Sequence, residues 1–269
     1  MHIGRLAVHR KLRNLWQQHR LLAPALGKVN AARFLAQQQW HRVRPPTRSY
    51  RVSTKHARHS LLCRPGTSDA KAFEMIFIQQ EYSCVERLRD VRLVVDCGAN
   101  VGYAAAYFLN MFPESTVFAV EPDRDNFSTL TQNLHPYAAR ARCVQAAVWS
   151  DATQLITDTE TYRDGKEWSR QFRPCRSGEP PTTRGLPMDA LLDEARAERV
   201  SLLKMDIEGA EAIVFGGTDR RWLTRVDAIV IELHDDYPHA DCRAVFEQAC
   251  ANDFTLTSHG DLILGRRCA

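Results

Sequence analysis

From about residue 91 the chain alternates between two hydrophobic patterns. Short apolar runs at Leu93–Val95, Val117–Val120, Cys143–Val148, Ser201–Met205 and Ala228–Ile231 show no amphipathic alternation, as expected of strands buried on both faces. Between them, 103–111, 123–134, 188–197 and 209–216 read as helices. Phe254–Thr257 and Leu262–Leu264 flank a Ser-His-Gly-Asp turn and predict a closing antiparallel hairpin. This alternation predicts an α/β fold, with an open and mostly parallel sheet, helices on both faces, and ligands at the carboxyl ends of the strands. The segment 158–187 contains Asp164-Gly165, Pro174, Pro180-Pro181 and Gly185. It predicts a long loop of the kind that serves as a substrate lid.

Upstream, Tyr50–Lys55 and His59–Cys63 predict two short strands joined by a turn. Arg64–Asp69 reads as a loop, with Ser68 or Asp69 capping a helix through Phe73, Ile76 and Phe77. Earlier still, Leu12, Leu15, Trp16, His19 and Leu22 follow helical spacing, with Arg10, Lys11, Arg13, Gln17 and Arg20 around the other side. Pro24 and Gly27 interrupt, and a second helical run covers about 29–43 before Pro45-Pro46. The expected organisation is a basic helical extension over 1–45, a hairpin and helix over 46–90, and a ligand-binding domain over 91–269.

The chain has 269 residues, of which 44% are hydrophobic and 25% charged, enough for a full core. With 13 glycines and 12 prolines it is neither collagen-like nor of low complexity. No apolar run is long enough to span a bilayer. The eight cysteines contain no C-x-x-C pair, which argues against a structural zinc site and for free thiols in a reducing compartment. Together with the absence of an apolar run behind the first charges, this suggests a cytoplasmic protein.

The net charge of +4 conceals a split. Residues 1–68 hold fourteen Lys/Arg and no acid, so the remainder carries 22 basic and 32 acidic residues, a net charge of −10. An acidic body is a poor match to a nucleic-acid backbone, and no nucleic-acid partner is expected. The basic head has three readings: a solvated helical hairpin packed on the body, a peripheral dock on an anionic membrane through Arg/Lys, Trp16 and Trp40, or an Arg-rich but serine-poor transit peptide.

The sharpest motif is Leu93-Val-Val-Asp96-Cys-Gly98-Ala99-Asn100-Val-Gly102-Tyr: a buried strand, an acid, then a glycine-spaced turn opening a helix. A nicotinamide fingerprint has G-x-G-x-x-G and no carboxylate just before the first glycine. Asp96 repels a pyrophosphate and suits a ligand carrying an ammonium and a sulfonium, as S-adenosylmethionine does. Twenty-five residues on, the next strand ends in Glu121-Pro122, where one carboxylate can accept from both hydroxyls of a ribose. A second strand-to-helix element, Lys204-Met-Asp206-Ile-Glu208-Gly-Ala-Glu211, presents Asp206 and Glu208 to the same crevice, with Lys204 paired to one of the acids. A third, Glu232-Leu-His234-Asp235, adds an acid and an imidazole. His56-x-x-His59 and His239-x-Asp241 lie in polar loops and read as solvated.

These motifs resemble the FkbM family of S-adenosylmethionine-dependent methyltransferases. Asp96-x-Gly-Ala-Asn-x-Gly102, Glu121-Pro122, Lys204-x-Asp206-Ile-Glu-Gly-Ala-Glu211 and Glu232-Leu-His234 carry the resemblance. So do Arg64-Pro-Gly-Thr-Ser-Asp69, Phe73 and Glu81-Tyr82, over roughly 50–265. The resemblance implies a Rossmann-like class I methyltransferase fold of seven strands, and O-methylation of a hydroxyl on a sugar, glycan or polyketide-like metabolite. Asp96, Gly98, Ala99, Asn100, Gly102, Glu121, Pro122 and Asp206 are then the cofactor-binding candidates, and His234, Asp206, Glu208 and Glu232 the catalytic ones. A neutral His234 imidazole suits a general base. Alternatively, Asp206 with Glu232 or Asp235 could gather a magnesium ion. An enzyme methylating nucleic-acid bases would commonly carry Asp/Asn-Pro-Pro-aromatic where Asp206-Ile-Glu-Gly stands, so base methylation is disfavoured. The rivals are a catalytically silent scaffold docking through its head, and a nicotinamide reductase, which Asp96 and the missing third glycine disfavour.

Overall fold

The computed structural model describes residues 16–45, 47–158, 167–234 and 241–268. The chain forms two compact units, Met1–Gln80 and Glu81–Ala269.

In the first unit, α1 (residues 16–26) and α2 (Lys28–Val43) meet at Gly27, whose φ of 83° lies in the left-handed region open to glycine. β1 (Tyr50–Val52) and β2 (Leu61–Cys63) pair antiparallel, and α3 (Asp69–Phe73) runs into a single π turn over Glu74–Ile78. Ser68 occupies the N-cap position of α3 without making a side-chain cap. The expected head is not separate from the hairpin. Leu26 and Ala31 are fully buried, Thr54 Oγ1 donates to Ala25 O at 3.2 Å, and Phe34 stacks on Phe73 with ring centres 6.0 Å apart. The portion of the head before residue 16 lies outside the described residues.

The second unit carries the main sheet. β3 (Leu93–Cys97), α4 (Tyr103–Met111), β4 (Thr116–Val120), α5 (Arg124–Leu134) and β5 (Ala141–Val144) step outward in one direction. A smaller sheet follows, made from β6 (Ala147–Val148), β7 (Thr153–Thr157), β8 (Phe172–Pro174) and β9 (Thr183–Leu186) in the order β6-β9-β7-β8. The chain then returns through α6 (Met188–Glu194), β10 (Leu202–Met205), α7 (Glu211–Gly216), β11 (Ala228–Glu232), α8 (Cys242–Cys250), β12 (Phe254–His259) and β13 (Leu262–Arg267).

The main-sheet order is β12-β13-β11-β10-β3-β4-β5. Only β13 runs against its neighbours, inserted between β11 and β12. This is the Rossmann-like class I methyltransferase arrangement of seven strands. Strand order reverses between β3 and β10. With right-handed crossovers, α4 and α5 fall on one face and α7 and α8 on the other, and each pair packs together. The reversal leaves a crevice at the carboxyl ends of β3 and β10. Val94, Val95, Leu202, Leu203, Ile229, Val230 and Ile231 are completely buried, so the sheet core holds this crevice rigidly.

Two expectations are corrected. Cys143–Val148 is not one strand: the chain leaves the main sheet after Val144 and starts the small sheet at Ala147. Both pieces are apolar, and a hydrophobic run does not reveal which sheet buries it. The segment 158–187 is not structureless, since β8 and β9 lie within it. Pro174 is tolerated because β8 is an edge strand. Gly185 is required because a Cβ there would meet Leu155 Cδ1 at 2.9 Å. The segment therefore reads as turn chemistry while forming strand. Asp164 and Gly165 lie outside the described residues.

Candidate active site

Two turns build the crevice. After β3, Gly98 sits at φ 76°, and a Cβ there would lie 1.8 Å from Asp206 O, so only glycine lets the turn after β3 touch the turn after β10. The N–H groups of Gly98 and Ala99 both donate to Val120 O, at 3.0 and 2.9 Å, which ties the turn to β4. Gly102 opens α4 in the left-handed region, where a Cβ would strike Leu130 Cδ1 at 2.7 Å. Asn100 and Glu208 adopt positive φ (49° and 55°) without being glycine. Backbone strain of this kind persists where the surrounding structure over-determines it, and it gathers at functional sites.

Asp96 is fully buried inside β3, with its carboxylate 3.2 Å from Lys204 Nζ. Lys204 also donates to Gly98 O at 2.7 Å and Cys97 O at 3.3 Å, and lies 3.6 Å from Asp206. Burial alone would lower the Lys204 pKa, but Asp96 and Asp206 outweigh it and hold the ammonium above its ordinary range. The expected pairing of Lys204 with an acid of its own turn is made with Asp206, and Asp96 is a second, closer partner.

At the end of β4, Glu121 Oε2 accepts from Asn100 N at 2.8 Å and Oε1 from Asp123 N at 2.9 Å. Burial pushes this carboxyl up to about 7, opposed by those two backbone donors. Pro122 lies half-buried beside it. The Asn100 side-chain oxygen is buried with no hydrogen-bond partner among the described residues. Asp123 caps α5, accepting from Asp125 N and Asn126 N, and is ion-paired with Arg170 from the segment before β8. From that same segment Gln171 donates to Glu208 O at 2.9 Å.

The ends of β10 and β11 bring Asp206, Glu208, Glu232 and His234 together. His234 is completely buried. Its Nε2 lies 3.5 Å from Glu208 and 3.7 Å from both Asp206 and Glu232, while Nδ1 is 2.9 Å from Glu211 Oε1. Burial by itself lowers the imidazole pKa, but the hydrogen bond to Glu211 and the charges of Glu211, Asp206 and Glu208 raise it to about 9. The ring carries a proton near neutral pH in this environment, unlike the neutral imidazole expected of a general base. Asp235, Asp236 and His239 lie outside the described residues.

Two contributors escaped the residue-by-residue reading. Glu211 looked like a first-turn acid of α7. It accepts from Ile207 N at 2.9 Å and Gly209 N at 2.8 Å, and so fixes both the Asp-Ile-Glu-Gly turn and the imidazole. Glu81, noted only within the family resemblance, is pushed up to about 8 by burial and by the charges of Asp206 and Glu232. Its position against strands more than a hundred residues away leaves no local signal. The result is an acid-rich crevice.

Comparison with known proteins agrees with this geometry. The sequence model of the methyltransferase FkbM domain matches residues 96–261. The chain is 28% identical over 180 residues to "Methyltransferase 1" of Beauveria bassiana, covering 60% of this chain and 71% of that one. It is 28% identical over 157 residues to the "2-O-methyltransferase NoeI" of Sinorhizobium fredii, covering 53% and 63%. It is 22% identical over 228 residues to the "Hexuronic acid methyltransferase AglP" of Haloferax volcanii, covering 76% and 89%. The domain match spans well over half of the sequence and takes in both turns of the crevice, and on that ground the chain belongs to the FkbM family of methyltransferases.

Proposed function

We propose that the protein transfers a methyl group from S-adenosylmethionine to a hydroxyl of a sugar, glycan or polyketide-like metabolite. The observation that carries this reading is Glu121. Its carboxylate is clamped by two backbone N–H groups beside the switch point, and each oxygen keeps a lone pair for one hydroxyl of a ribose diol. The partnerless Asn100 oxygen offers an acceptor to a ligand donor. Gly98, Ala99, Gly102 and Pro122 shape the wall; Asp96 is neutralised by Lys204, and the partly exposed Asp206 gives the wall the negative charge that suits an ammonium and a sulfonium. The names of two relatives, one an O-methyltransferase and one acting on a hexuronic acid, support a sugar hydroxyl as acceptor.

S-adenosylmethionine, when bound, supplies the methyl group on a sulfonium. The protein has to hold the acceptor oxygen in line with it, and such positioning supplies roughly 7–11 kcal/mol of barrier lowering. A sugar hydroxyl is a poor nucleophile, and its proton is taken at the cluster of Asp206, Glu208, Glu232 and His234. The strand-bearing segment around Gln171 borders this cluster and selects the acceptor.

We propose further that the basic head docks on an anionic membrane surface. Trp16 and Trp40 are each 58% exposed, with the Arg20 guanidinium 4.8 Å and the Arg44 guanidinium 5.5 Å from their ring centres. This pairing of indole and cation suits a headgroup layer. No helix among the described residues is long and apolar enough to cross a membrane.

Calorimetric titration with S-adenosylmethionine, and separately with NADH, tests the main reading. Micromolar binding of the sulfonium ligand alone is expected, followed by methyl transfer to a sugar hydroxyl. Binding of neither would overturn it in favour of a silent scaffold.

A further inference from the structure

We infer that Asp206, Glu232 and His234 form a binding site for one divalent first-row transition-metal ion. The catalytic consequence rests on the methyltransferase reading above. The site itself rests on geometry.

Nε2 of His234 is buried and has no hydrogen-bond partner among the described residues. It points among carboxylates that stand 3.5 to 3.7 Å away, beyond hydrogen-bond reach. One donor atom each from Asp206, Glu232 and His234 lies within 4.8 Å of the others. Two donors about 2.1 Å from a common ion are at most about 4.2 Å apart, so a contraction of several tenths of an ångström completes the site.

The other side of the ring supports the same assignment. Nδ1 is engaged by Glu211, which is itself locked by Ile207 N and Gly209 N. With Nδ1 donating to a carboxylate, an incoming ion displaces the Nε2 proton and takes the lone pair that is directed at the cluster. This carboxylate–histidine arrangement is what orients metal-ligating histidines and raises their basicity. The side chains of Asp206 (27% exposed) and Glu232 (25%) open to solvent on one side, leaving positions for water or an acceptor hydroxyl.

The imidazole decides which ion. Magnesium, the ion suggested by carboxylates alone, takes oxygen ligands and keeps its waters. A nitrogen donor with two carboxylates favours cobalt, manganese, iron or zinc. On the open side such an ion acts as a Lewis acid, lowering the pKa of an acceptor hydroxyl. His234 is then a ligand, because Nε2 cannot hold an ion and accept a proton together.

The test uses the full, untagged chain, stripped with chelator and titrated with Co2+ by calorimetry and visible absorption. One Co2+ per chain with visible d–d bands is expected, with Mg2+ competing only at a hundredfold or greater excess. His234→Gln and Glu232→Gln should each weaken Co2+ at least tenfold, and His234→Gln should alter the bands, while S-adenosylmethionine affinity stays within a few-fold. Glu211→Gln should weaken the ion 10- to 100-fold. Co2+ binding unchanged in both ligand variants, or absent from wild type, overturns the site. If wild type binds S-adenosylmethionine but no ion, the metal inference fails alone. If it binds the ion but no S-adenosylmethionine, the methyltransferase reading fails and the metal site stands.

Discussion

Lys204 and Asp96 face each other across adjacent parallel strands at the centre of the sheet, paired in register with the ammonium 3.2 Å from the carboxylate. Both are essentially inaccessible to water. The same ammonium holds the carbonyls of Cys97 and Gly98 and reaches Asp206. One buried cation thereby links the two turns that form the crevice, and the acids of the site are arranged around it.

Breaking this pair from either side strands a charge in the core. Asp96→Leu or Lys204→Met should each cost about 3–5 kcal/mol of stability, whereas the two replacements combined should cost much less than their sum. Chemical denaturation of the four proteins gives the coupling directly. Additive losses would mean that the pair does not act as a unit.

Glu121 has a carboxyl raised to about 7. Its folded pKa lies above the ordinary value near 4.5, so its contribution to folding is fully present at low pH and is lost as pH rises from 4.5 through 7. Binding a diol uses the carboxylate form. S-adenosylmethionine affinity should therefore rise by up to tenfold per pH unit below 7 and level off above it. Glu121→Gln should bind weakly and lose this slope. Wild-type affinity in Glu121→Gln at about pH 8 would remove Glu121 from the cofactor site, whereas a wild-type titration flat between pH 5.5 and 7 would mean that its carboxyl is already ionised there.

His234→Ala should reduce turnover roughly 10²–10⁴-fold, whether the ring relays a proton or holds an ion. Cofactor affinity should persist, because the ring touches Glu211 and the acid cluster and not Glu121. Turnover and S-adenosylmethionine titration measured on one preparation separate the two effects. Near-wild-type turnover across a pH series would dismiss His234 from the chemistry.

Replacing Trp16 and Trp40 together by alanine, or Arg20 and Arg44 by glutamate, should abolish cosedimentation with vesicles of mixed phosphatidylcholine and phosphatidylglycerol. These side chains are exposed and anchor no part of the core, so melting should move little. Wild-type protein that ignores such vesicles at low salt would end the membrane reading.

Much of the frame was written locally. The apolar runs around Val94, Val117, Leu202 and Ile229 specify buried strands without reference to the rest of the chain, because burial on both faces demands unbroken hydrophobicity. Gly98, Gly102 and the acids at strand ends mark the ligand edge for the same reason: backbone conformation and terminal charge are properties of a few adjacent residues. The family likeness rested on those short elements.

Tertiary structure decided what depends on distance in space. The run Cys143–Val148 is apolar throughout, but only folding divides it between two sheets, and pairing with β7 and β6 turns a Pro- and Gly-rich segment into strands β8 and β9. Asp96 read as a carboxylate facing its ligand, whereas a lysine 108 positions later takes up its charge. Glu211 and Glu81 become part of the site because the sheet carries them to His234, Asp206 and Glu232. A buried charge is governed by the groups within a few ångströms of it, and in this protein those groups come from β3, β10, α7, β11 and the turn at Glu81, which no local stretch of sequence brings together.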